Sequence, residues 1–314
     1  MRSQFDTMYT SSMNDMEKEA FHIIVEKTER GHDTVRIPRI DPASVVKVMT
    51  AVMMSSLSFC NEFGNGYSIA DYKKHYEIVF SHLHTPSVGR NYKRRFETRV
   101  ESIVKKILSC CSTDYEKVLM IHDEVLKGVV YSTVRTEVHP NIYNAYAPLV
   151  DKVAACQGVA LAFSTIAREV GVDCANLAND GMNHCWNMVR IDESYCNVDA
   201  TWDIGDGKNT YDYLNLSDRR FMLDHLCKLG PVCDTDRYDW YRMNDLCFHD
   251  LADIHDFLVD SVREGKRTTA FEYGRLSTSD IETMIADVMN ISFRIKGTRY
   301  QINNKIHVAH VTYE

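Results

Sequence analysis

Three residues in this sequence are of types that together perform nucleophilic acyl chemistry: Cys156, His184 and Asp199, in that chain order. A thiolate is a strong nucleophile. An imidazole can take the thiol proton and later return one, and a carboxylate can hold that imidazole in one tautomer and stabilise its charged form. Each residue alone carries little weight, because a buried helix thiol is common and a lone histidine is usually structural. The chain holds 10 cysteines. What sets Cys156 apart is the set of elements that must position it.

Apolar residues at Val159, Phe163, Ile166 and Val170 form one stripe at helical spacing, and Cys156 extends it by one step toward the N-terminus. Gly171 is a stop signal. Cys156 is therefore expected in the first turn, facing inward, where free backbone N–H groups and the helix dipole favour the thiolate. Gly158 is expected to leave room for a substrate. The stretch NHCWNMVRIDESYCNVDATWD, Asn183 to Asp203, reads as a β-hairpin. A two-residue loop of Asp192 and Glu193 pairs Ile191 with Ser194 and Trp186 with Asp199. His184 then shares the face of Trp186 and is a diagonal neighbour of Asp199. A three-residue loop would put them on opposite faces.

The strings AACQGVALAF, NHCWN and YCNVDATWD resemble the core motifs of the transglutaminase-like superfamily. AYAPLVDKVAACQG and YDYLNLSDRRFMLDH also resemble segments flanking that core in bacterial members. The resemblance runs from about Asp114 to His225. It implies an α+β fold with a papain-like core, a Cys-bearing helix packed on an antiparallel sheet, and small flanking α/β segments. It maps the nucleophile to Cys156, the base to His184 and the orienting acid to Asp199. Two departures are Cys185, where a small residue is more usual, and Glu193, where the turn commonly has glycine.

A thioester-forming reaction needs oxyanion donors. The Cys156 backbone N–H is one, and Gln157 is a second candidate. Trp186 and Trp202 could wall the site, and Tyr146 could line the cleft, although packing is the ordinary role of such aromatics. Asp203 and Asp206 have an incomplete calcium-loop spacing, so a local turn is favoured. His225 shows no partner. Lys93, Arg94, Arg95 and Arg99 read as a solvated basic face. No CxxC pair is present, so a structural zinc site is not indicated and no metal or cofactor is expected. Within the family that the motifs resemble, peptide N-glycanase members usually carry paired zinc cysteines, and their absence argues against that activity. The expected activity is that of a cysteine peptidase or amidohydrolase acting on a peptide or protein substrate. A transglutaminase or glutamine deamidase is one alternative, and a non-catalytic protein-binding module is another, because a triad does not select the acceptor.

A formal net charge of -8 argues against nucleic acid as a partner. The most apolar stretch, Ala43 to Phe59, carries Lys47 and reads as an amphipathic helix, so no membrane insertion is expected. Ten irregularly spaced cysteines point to a reducing, cytoplasmic setting, with secretion open if a signal segment was removed. The first residues, to Glu17, read as a polar leader. Three parts are expected: an N-terminal α/β segment over 1–90, the core over 91–235, and a C-terminal α/β segment over 236–314. The two ends share a helix-strand-helix-strand order and could be copies of one unit or unrelated pieces. Nothing in the sequence sets an oligomeric state.

Overall fold

The computed structural model describes residues 9–55, 63–82, 85–179, 181–205, 208–226, 230–291 and 297–314. The chain opens with α1 (Asp15–Glu29), β1 (Thr34–Pro38), α2 (Pro42–Ser55), β2 (Phe63–Asp71) and β3 (His75–His82). Asn14 and Glu17 close a reciprocal capping box that starts α1. Asp41 caps α2, accepting from the Ala43 N–H at 2.8 Å, as its sequence position ahead of Pro42 predicts. The strands form an antiparallel sheet in the order β1-β3-β2. The leader is not wholly free. Met13 is buried, and the Tyr9 hydroxyl donates to the Asn176 carbonyl at 3.0 Å and accepts from its N–H at 2.7 Å.

The central part follows as α3 (Pro86–Cys110), α4 (Asp114–Leu126), β4 (Val130–Tyr131), a π-helical turn (Ala147–Asp151), β5 (Val153–Ala154), α5 (Cys156–Glu169), β6 (Cys174–Asn179), β7 (His184–Ile191), β8 (Ser194–Val198) and β9 (Leu214–Leu216). Two one-turn helices come next, α6 (Asp218–Phe221) and α7 (Trp240–Met243). Strands β6 to β9 form an antiparallel sheet in sequential order, and α5 packs on β6 and β7. One stripe of α5 was expected to face inward, but nearly every side is buried, because α3 and α4 cover what the sheet does not. The basic face of α3 is only partly solvated: Arg95 lies over the Tyr146 ring, and Arg99 pairs with the buried Glu124 of α4 at 3.0 Å.

The hairpin has the expected register. Ile191 faces Ser194 across a two-residue loop, with Asp192 in the left-handed region at φ 53°. Asn187 faces Val198, so Trp186 comes opposite Asp199 one step further. The chain ends with α8 (Leu251–Arg263), β10 (Thr268–Glu272), α9 (Thr278–Ile291), β11 (Thr298–Asn303) and β12 (Val308–Tyr313). Its sheet order, β10-β12-β11, repeats that of the N-terminal sheet, and the helices alternate with the strands in the same way. The sequence also predicts a strand over 291–295; Ile291 instead ends α9, and 292–295 lie outside the described residues, as do Asp206, Cys60, Cys227, the first eight residues of the leader and the end of the amphipathic stretch. Among the described residues no helix is long and apolar enough to cross a membrane.

Candidate active site

Cys156 is the first residue of α5 and is 8% exposed. Its N–H has no carbonyl partner within the helix, which is the general state of a first-turn amide. The chain enters the helix through β5, which pairs in parallel with β4 and sets Tyr131 beside Ala154. The Ala155 N–H donates to the Ile142 carbonyl at 2.8 Å. This approach corrects the expectation for Gly158. A Cβ there would lie 2.4 Å from the Ile142 carbonyl oxygen and 3.0 Å from that of Asn144. Gly158 makes room for a backbone segment of the protein, not for substrate.

His184 opens β7 and Asp199 follows β8; both are buried, Asp199 completely. His184 Nε2 meets Asp199 Oδ2 at 2.5 Å. Asp199 Oδ1 accepts from the Thr201 and Trp202 N–H groups at 3.0 and 3.3 Å. Asp199 and the Cys156 sulfur both favour the charged form of the imidazole. The Cys156 thiol is drawn down to about 4. The largest cause is a hydrogen bond from the Cys185 thiol; burial works against it, and His184 and the Cys185 N–H add to it. Burial opposes the charge on His184, but Asp199 and the Cys156 thiolate outweigh it and push its pKa up to about 10. Burial likewise raises Asp199, and the hydrogen bonds from His184 and His225 overcome it, so the carboxylate stays ionised.

The remaining expected residues divide. Trp186 is buried with its ring centroid 6.0 Å from that of His184, and Trp202, 39% exposed, stands 5.6 Å from it. Both wall the His184–Asp199 pair. Tyr146 has the packing role: it is buried, with its ring tilted against that of Tyr92 and centroids 4.5 Å apart. Gln157 is half-buried in the first turn of α5. Asp203 is a buried structural hub, accepting from Thr210 Oγ1 at 2.9 Å and the Tyr213 N–H at 3.1 Å, with His122 Nε2 at 3.1 Å. His225 has partners after all: its Nε2 is 3.0 Å from Asp199 Oδ2 and its Nδ1 2.9 Å from Asp224 Oδ1. His184, Asp199 and His225 offer ligand-type atoms within 4.8 Å of one another. The direct contact of 2.5 Å between two of them is a hydrogen bond, tighter than donors around one tetrahedral ion would stand.

Sequence reasoning missed three members of this site. Cys185 was noted only as a departure from a pattern. Tyr131 is another: burial, together with the nearby Cys156 charge, pushes its phenol up. Its signal, an aromatic in a two-residue strand, is too short to read. His225 lies 26 residues beyond Asp199 in sequence, with no local pattern linking them.

The structure sets a buried His184–Asp199 pair on an antiparallel sheet and Cys156 at the start of the helix packed on that sheet. Residues 101–200 match the model of the transglutaminase-like superfamily, a segment that contains Cys156, His184 and Asp199. Among solved structures, one similar chain is described as a TGase: 12% identity, a TM-score of 0.29, covering 56% of this chain and 53% of that one. Another is a proposed cysteine protease from Cytophaga hutchinsonii: 12% identity, a TM-score of 0.27, covering 43% of this chain and 61% of that one. The similarity thus spans between half and two thirds of those chains. No curated protein matches the chain.

Proposed function

We propose that this protein is a thiol-dependent acyl-transfer enzyme that acts on peptide or protein amides through a Cys156 thioester, as a cysteine peptidase or amidohydrolase with a papain-like core. The observation that carries this reading is the buried 2.5 Å contact of His184 with Asp199, with burial opposing but these two partners, Asp199 and Cys156, raising the imidazole pKa to about 10. Cys156 is the nucleophile, His184 the proton carrier and Asp199 the residue that orients it. The thiolate attacks the amide carbonyl, and the His184 imidazolium gives its proton to the leaving amine. Neutral His184 then takes a proton from water as the water attacks the thioester. The free Cys156 N–H at the start of α5 serves as an oxyanion donor. The core spans 91–235, with 1–90 and 236–314 as flanking α/β segments.

The test is product mass spectrometry on a peptide library, with and without a primary amine. Cleaved peptides, absent with Cys156→Ser, are expected. Amine adducts without cleavage would assign transglutaminase activity, and a gain of about one mass unit at glutamine would assign deamidation. A library returned unchanged would overturn the enzymatic reading in favour of a binding module.

A further inference from the structure

Asp199 Oδ2 serves two imidazoles at once, His184 at 2.5 Å and His225 at 3.0 Å. The His225 side chain is fully enclosed. Its ring stacks on Phe221, with centroids 3.7 Å apart, and Trp202 stands 4.3 Å away; Trp186 and Tyr213 complete the cage. The titratable groups facing it are Asp199 and His184 from the sheet, Asp224 from its own turn, and Tyr213, whose hydroxyl donates to Asp224 at 2.7 Å. A histidine flanked by a carboxylate at each nitrogen must donate from both, which makes it an imidazolium. Asp224, His225, Asp199, His184 and Cys156 then form a line of alternating charge.

Two consequences follow from chemistry. With two backbone N–H groups on Oδ1 and two imidazoles on Oδ2, the Asp199 carboxylate has no freedom to turn away from His184. A carboxylate shared between two cations also holds each proton less firmly than it would hold one alone. A general acid held too firmly is a poor donor to a leaving amine.

We propose that His225 is a positioning residue for the Cys156–His184 pair: its Nε2–H fixes the Asp199 carboxylate toward His184, and its positive charge keeps His184 able to release a proton. This inference rests on Cys156 being the nucleophile. The test compares the parent protein with His225→Gln and His225→Phe by the pH profile of Cys156 alkylation with iodoacetamide, read at that site by mass spectrometry. Glutamine can offer an N–H near the Nε2 position without charge. Phenylalanine keeps the stacking and offers no donor.

Either variant removes a cation whose ring centre is 5.9 Å from that of His184, so both inflections of the profile move to higher pH. The expected shift is about one pH unit, the order for one charge at that distance in a partly screened site. His225→Phe also frees the carboxylate, and reactivity at acidic pH falls about tenfold below that of His225→Gln. Inflections that stay in place in both variants overturn the proposal, as does equal behaviour of the two variants. A parent protein with no excess acidic reactivity at Cys156 would overturn the nucleophile assignment itself, a distinct result. If neither variant folds, ¹⁵N-histidine NMR of the parent decides. His225 protonated at both nitrogens at neutral pH supports the proposal, and a neutral ring overturns it.

Discussion

The ionisation of Cys156 can be tested without any substrate. At pH 5 an ordinary free thiol, with a pKa of about 8.5, is thiolate in roughly one molecule in 3,000. Cys156, drawn down to about 4, is almost entirely thiolate at that pH. A less basic thiolate is a weaker nucleophile, and a gap of about 4.5 units costs roughly 100-fold in attack on a disulfide. The net advantage over a free cysteine peptide is then about 30-fold at pH 5, and it disappears near pH 6.5. Poor access to a buried sulfur lowers every rate, so the ratio between two pH values is the cleaner measure. Between pH 7 and pH 5 the reference rate falls about 100-fold and the Cys156 rate stays nearly level. The assay is modification by methyl methanethiosulfonate, a neutral thiolate-directed disulfide donor, quantified at each cysteine by mass spectrometry. Burial pushes Cys111 up to about 11 and Cys196 and Cys247 up to about 12, so those thiols stay protonated across this range. His184→Ala removes a main source of the thiolate and is expected to abolish the acidic reactivity. A Cys156 rate that falls in parallel with the reference between pH 7 and pH 5 would refute the ion pair.

Three further outcomes are expected. Cys185→Ala removes the strongest influence on the Cys156 thiol, so the acidic inflection of its profile moves up by roughly one pH unit; an unmoved inflection counts against that donor. Gly158→Ala gains about 1 kcal/mol of helix propensity, but the new methyl meets the Ile142 carbonyl at 2.4 Å. The crowding costs about 1–3 kcal/mol, so a net loss in thermal or urea denaturation is expected, and a stabilised variant would show that the segment yields freely. Arg220 is buried between Asp239 and Glu272 and donates to the Ile306 carbonyl at 3.2 Å, tying the C-terminal sheet to the core. Arg220→Ala strands both acids and is expected to cost about 3–5 kcal/mol in urea melts; a change below 1 kcal/mol would mean that water reaches them.

The parts of this site that were legible in the sequence are those set by local rules. Helical spacing placed Cys156 at the first turn of its helix; the hydrophobic pattern did not choose the hairpin loop length alone, and the demand that His184 reach Asp199 picked the even loop that the structure has. Where the contact depends on which distant segment packs nearby, local pattern failed or misled. Gly158 read as an opening for substrate, yet what approaches it is the backbone of Ile142 and Asn144, sixteen and fourteen residues upstream. For Tyr146 the sequence favoured packing over the cleft but not its partners, which are Tyr92 and Arg95 of α3.

His225 matters most, because its omission changes the electrostatics and not only the inventory. With His184 alone, Asp199 would be a single anion holding a single cation, and the ion pair with Cys156 would be stabilised without limit on how tightly the proton is kept. The second imidazole divides that carboxylate, and Asp224 in turn anchors the second imidazole. The aromatic cage encloses His225, and with Asp199 also buried, each charge is felt by its neighbours through only partial screening. The strength of His184 as an acid is therefore a property of five side chains drawn from a helix start, a hairpin and a later turn, a dependence that no window of sequence around any one of them contains.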